Sequence, residues 1–166
     1  MRIAILAAAI AALAVAAHAA TPAKTSAPKS GPVDIRDPAA LVTLLKSMDA
    51  KAEITRTEAT VVFLNVVTPG GDFGAQFVDC DAKGKACHAL IFSTAFAAKG
   101  VSLNQINRFN QGQVACRAFI DDDGKPNVAY ATLVNLRMTA DEVKQHIGVW
   151  QGCLASFGSL TKKVGD

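Results

Sequence analysis

FGAQFVDCDAKGKACHALIFSTAF, Phe73 to Phe96, decides the fold. Two apolar runs flank DAKGKA, where Gly84 suits a tight connection, so the stretch reads as a β-hairpin. Its cysteines suggest the register. Setting Cys80 opposite Cys87 also sets Phe77 opposite Leu90 and Ala75 opposite Phe92, which gathers one apolar set on one face. A single register then serves both a cross-link and a hydrophobic face. It also places His88 across from Asp79, an ordinary cross-strand pair.

Upstream, Pro69-Gly70-Gly71-Asp72 turns the β-branched run TVVFLNVV into this hairpin, and the short run AEIT precedes it. The result is a meander of about four strands. Asp37-Pro38 opens a helix before them, since Asp is a good N-cap and Pro suits the first helical position. Leu41, Leu44, Leu45 and Met48 give that helix its apolar stripe.

Downstream, Ser102-Leu103-Asn104-Gln105 has the form of a capping box and predicts a short helix. That helix should end near Gln111-Gly112, where glycine suits a left-handed cap. VACRAFI and NVAYATLVN flank Asp121 to Pro126 and predict a second hairpin. The triple Asp lacks the D-x-D-x-D-G spacing and the following bidentate Glu of a calcium loop, so it reads as a turn. Thr139-Ala140-Asp141-Glu142 is a second capping box. It starts a helix whose Val143, Ile147, Trp150, Leu154 and Phe157 form one stripe, with Cys153 facing inward beside Trp150 and Phe157. Gly148, Gly152 and Ser156 form a separate small-residue stripe, which suggests a close approach to the first helix or to a second subunit. The order is α-β-β-β(-β)-α-β-β-α, an α+β antiparallel sheet with helices.

Residues 1–19, MRIAILAAAIAALAVAAHA, read as a secretory signal peptide cleaved after Ala19: one positive charge, an apolar run, then small-x-small. The run is shorter than the roughly 20 residues that span a bilayer, so no membrane attachment is expected after cleavage. Residues 20–36 carry three prolines and two lysines among small polar residues and read as a linker. Residues 37–166 are then a single domain. Loss of Arg2 lowers the formal charge from +3 to +2, and the basic residues are scattered, so nucleic acid is not an expected partner. The chain is expected to be periplasmic or secreted.

In an oxidising compartment four cysteines suggest two bridges, with three connectivities open. The hairpin register favours Cys80 with Cys87, which leaves Cys116 for Cys153. No C-x-x-C occurs, and Cys80, Cys87 and His88 match no common zinc spacing, so neither a metal nor a cofactor is expected.

Ile106-Asn107-Arg108-Phe109-Asn110 and Arg117-Ala118-Phe119-Ile120-Asp121, supported by Trp150, give the chain a likeness that runs from Leu41 to Phe157. It resembles the YbjN family of bacterial sensory transduction regulators, which commonly has Trp where this chain has Phe109. The resemblance implies a fold similar to type III secretion chaperones, often assembled as two-fold dimers, and no established catalytic residues. The chain itself has no G-x-S-x-G, Walker loop, G-x-G-x-x-G or H-E-x-x-H, and no catalytic residue is expected.

Asn104, Asn107 and Asn110 recur at steps of three and fan across one side of the predicted helix. Asn107 and Asn110 either bond the backbone of adjoining segments or form, with Arg108, a polar surface for a partner. The expected function is an exported, non-enzymatic module that recognises an unknown protein or peptide and regulates or chaperones it. The alternative is an envelope structural or stress protein that self-associates, as a homodimer, along the glycine stripe.

Overall fold

The structure, a computed structural model, describes residues 33–165, with side chains as far as Lys162. The expected signal peptide and residues 20–32 of the expected linker lie outside the described residues. In chain order the elements are α1 (Pro38–Lys46), β1 (Lys51–Glu58), β2 (Val61–Val67), β3 (Phe73–Val78), β4 (Ala89–Ala95), α2 (Leu103–Gly112), β5 (Cys116–Ile120), β6 (Pro126–Leu133) and α3 (Ala140–Gly165). This is the expected α+β order. The six strands form one antiparallel sheet in the order β1-β2-β3-β4-β6-β5.

The central hairpin has the expected register, with Ala75 opposite Phe92 and Phe77 opposite Leu90. That register continues across the sheet. Leu64, Ala75, Phe92, Tyr130 and Cys116 stand in one row over five strands, and all five are buried. Period-2 alternation therefore gives the sheet one apolar face. The three helices close it. Leu41 and Leu45 of α1, Ile106 and Phe109 of α2 and the stripe of α3 join the same core cluster. Trp150 lies edge-on to Phe73 at 5.6 Å, and Phe157 takes Phe96 and Phe109 edge-on at 5.2 and 5.0 Å. Phe77, Phe92 and Phe157 are fully buried, and each contributes about 1.5–3 kcal/mol by leaving water.

The helix starts follow local chemistry. The Asp37 carboxylate accepts from the Ala39 N–H at 3.0 Å, ahead of Pro38 at N1. It also pairs with Lys85 at 2.8 Å, which ties α1 to the β3–β4 turn. Both capping boxes form: Ser102 with Gln105, and Thr139 with Glu142. The two hairpin turns share one design, Asp-x-x-Gly-Lys. Asp81 Oδ1 accepts from the N–H groups of Lys83 and Lys85, and Asp121 Oδ1 does the same for Asp123 and Lys125. Gly84 (φ 69°) and Gly124 (φ 76°) supply the left-handed residue each turn requires.

Four expectations need correction. Residues 33–36 are folded and not linker: Ile35 is fully buried, the Val33 N–H donates to the Met138 carbonyl, and the Cys87 N–H donates to the Arg36 carbonyl. The first strand is eight residues long and not the short AEIT, because it is an edge strand buried only at Ala52 and shows no apolar alternation. Gly112 is not a left-handed cap; α2 ends as Gln113 turns extended (φ −114°). Gly148 and Gly152 are exposed, with no atom within 4 Å of where a Cβ would stand, so they do not mark an approach to α1.

Candidate functional site

The α2 asparagines have separate roles. Asn110 is half-buried and faces β5, where its Nδ2 donates to the Ala118 carbonyl at 3.1 Å and its Oδ1 accepts from the Ala118 N–H at 2.8 Å. The side-chain amide thus takes the place of a neighbouring strand's peptide group. Ile106 and Phe109, buried at 4% and 7% exposure, hold the helix at the depth this pairing needs. Asn107 and Arg108 are exposed. The three residues expected to act together therefore do not: Asn110 is part of the scaffold, and only Asn107 and Arg108 reach solvent.

The four cysteines are brought together as two pairs at disulfide distance. Cys80 and Cys87 close the β3–β4 turn with Cα atoms 3.8 Å apart. Cys116 and Cys153 join β5 to α3 with Cα atoms 5.9 Å apart. All four are at least 95% buried. Beside the first pair, His88 Nδ1 lies 2.8 Å from Asp79 Oδ2 on the open surface, as a cross-strand pair. Among the described residues no group of three or more His, Cys, Asp or Glu could hold a metal ion.

A groove that the motifs did not announce lies close to the second cysteine pair, where the end of β6 meets the first turns of α3. It encloses about 520 Å³. Tyr130 comes from β6, stacked over Phe92 at 6.2 Å, so its ring is core while its hydroxyl reaches the groove and hydrogen-bonds His146 Nδ1. His146 sits one turn before Trp150, where the buried stripe hands over to the surface. Leu133, at the end of β6, and Val149 of α3 both line it, 78% and 43% exposed, and so does the buried Met138. Glu142 flanks them. Its carboxylate is held below the usual range first by the Thr139 N–H, then by the Thr139 hydroxyl, with a smaller pull from His146.

Glu142 Oε2 is engaged in capping α3, and His146 Nδ1 is engaged by Tyr130. Among the described residues no Ser or Cys lines the groove. What it offers is two exposed apolar side chains among polar ones, the composition of a contact surface.

With fold and groove described, comparison with known proteins becomes informative. The YbjN family, described as "Putative bacterial sensory transduction regulator", matches residues 37–159. The chain belongs to the YbjN family. One solved structure similar to this YbjN chain is the crystal structure of YbjN, a putative transcription regulator from E. coli. It shares 16% sequence identity and covers 74% of this chain and 91% of that one, with a TM-score of 0.46. No curated protein matches the chain. The family description names a regulator and no enzymatic activity. The two cysteine pairs are compatible with an oxidising compartment. Among the described residues no helix is long and apolar enough to cross a membrane.

Proposed function

We propose that this protein is an exported, non-enzymatic regulatory module that binds a segment of a partner protein in the groove between β6 and α3. The observation that carries the reading is the exposure of Leu133 and Val149 in the groove that also holds the Tyr130–His146 hydrogen bond. Isolated exposed leucines are ordinary, but two exposed apolar side chains lining one groove among polar groups suit an apolar side chain flanked by a peptide group. Family membership supports a regulatory role, and the buried cysteine pairs support export. The groove replaces Asn107, Arg108 and Asn110 as the favoured partner surface, because Asn110 is committed to β5.

The test is photo-crosslinking in intact cells from a reactive residue placed at Leu133, with Asp123 as a distant exposed control. The expected result is one reproducible heterologous adduct from position 133 that Val149→Lys abolishes while leaving the melting temperature unchanged. Equal adducts from both positions, or an adduct indifferent to Val149→Lys, would refute the proposed surface.

A further inference from the structure

The two edges of the sheet are finished differently. At β5 the Ala118 N–H and carbonyl are taken by Asn110, and the Arg117 guanidinium donates to the Cys116 carbonyl at 2.7 Å. At β1, among the described residues, no hydrogen bond from outside the β1–β2 ladder reaches the backbone of Lys51–Glu58. An unpaired edge of eight residues is a template for another strand. Charges and bulges are common ways to keep other strands away, and β1 has both. Its charges, however, are arranged to fit themselves.

In an unbroken strand Glu53 and Arg56, three residues apart, would point to opposite faces. The bulge at Thr55 cancels that: Ile54 pairs with Leu64 while Arg56 pairs with Phe63. Lys51, Glu53, Arg56 and Glu58 therefore all lie opposite Val67, Asn65, Phe63 and Val61, on the face of the sheet away from the helices. Ala52, Ile54 and Thr57 share the other face, opposite Val66, Leu64 and Val62.

Now lay a second copy of β1 antiparallel to the first, about a two-fold axis between Ile54 and Thr55. Lys51 then stands against Glu58 and Glu53 against Arg56, each pair occurring twice, and the members of each pair share a face. Slipping the register by two residues one way sets Lys51 against Arg56; slipping it the other way sets Glu53 against Glu58. Only the centred register is complementary, and like charges directly opposite disfavour its neighbours. Ile54 lies on the helix side of the sheet yet is 46% exposed, and this register sets it against Thr55 of the second copy, next to the axis. Arg56 already reaches Glu58 of its own strand at 3.1 Å and lies over the Phe63 ring at 4.2 Å, which fixes its head group on the face where the partner's Glu53 would arrive.

We infer that β1 is the surface through which two copies of this chain associate, edge to edge, joining their sheets into one. The inference is independent of what the groove binds. It is tested by sedimentation equilibrium of the full protein at low and high salt, with circular dichroism as the folding control. The wild type should dimerise, more weakly at high salt. Glu53→Lys, which sets Lys against the partner's Arg56, should weaken the dimer at least tenfold, and the swap Glu53→Lys/Arg56→Glu should restore it to within a few-fold. A wild type that stays monomeric at millimolar concentration would overturn the inference. So would a dimer indifferent to Glu53→Lys, which would place the contact elsewhere, such as the exposed Gly148/Gly152 face of α3.

Discussion

Replacing Asn110 with Ala tests whether α2 is fixed to the sheet by an asparagine acting as a peptide group. The variant removes two neutral hydrogen bonds, of 2.8 and 3.1 Å, both made to Ala118. A typical neutral bond nets about 1 kcal/mol, and an abandoned buried donor costs about 1–3 kcal/mol. Ala118 is 5% exposed, so water replaces the lost partner poorly, and about 2–3 kcal/mol of destabilisation is expected. For a domain of this size that is a fall in melting temperature of roughly 6–12 °C. Asn107→Ala is the internal control: Asn107 is exposed and bonded to nothing among the described residues, so its cost should stay within about 0.5 kcal/mol. Asn110→Asp should fall between, since it keeps an acceptor for the Ala118 N–H but turns a carboxylate toward the Ala118 carbonyl. Thermal and urea unfolding with the cysteine pairs intact would measure all three. If Asn110→Ala and Asn107→Ala proved equal, the edge-pairing argument would fail.

Replacing Cys116 and Cys153 with Ser should cost more than replacing Cys80 and Cys87, about 4 against about 2.5 kcal/mol from the loops closed, read by urea unfolding; equal costs would contradict the loop argument. The carboxyls of Asp81 and Asp121 are held low, the first by the Lys85 and Lys83 N–H groups, the second by the Lys125 N–H and then the Asn127 amide. A depressed folded-state pKa gives stability that is present above the unfolded value of about 4 and lost as pH falls through the folded one. Melting temperature should therefore drop below about pH 4, and Asp81→Asn/Asp121→Asn should flatten that acid limb while leaving its neutral end the more affected. Trp150→Phe should be mild, within about 1 kcal/mol, because the Trp150 Nε1–H is buried with no partner among the described residues and its removal offsets lost packing; Phe157→Ala should cost about 3–5 kcal/mol in the same melts.

Most of the fold was legible because its strongest signals are local. Cys80, Cys87 and four apolar residues agree on one hairpin register, and Ser102/Gln105 and Thr139/Glu142 mark helix starts through bonds made within three residues. The stripe from Val143 to Phe157 needs no knowledge of what it packs against. What could not be read depends on distant neighbours. β1 hides because an edge strand has one ladder partner and little buried surface, so TRTE shows no alternation. Val33 and Ile35 hide behind a Pro-rich segment that composition alone assigns to linker. Nothing local tells Asn110 from Asn107, since only the position of Ala118 separates them. The groove was illegible for the same reason: Tyr130 and His146 are 16 residues apart and meet because β6 lies between β4 and β5.

The late position of α3 has a consequence for timing. Its Trp150 and Phe157 cover Phe73, Phe92, Phe96 and Phe109, all of which precede it in the chain. A growing polypeptide can therefore assemble the meander, yet must leave those rings facing water until α3 arrives. Cys153 gives the same rule a covalent form, because Cys116 waits for a thiol 37 positions away. Synthesis of α3 and closure of the core are thus coupled: the sheet is made before the helix that dries its face.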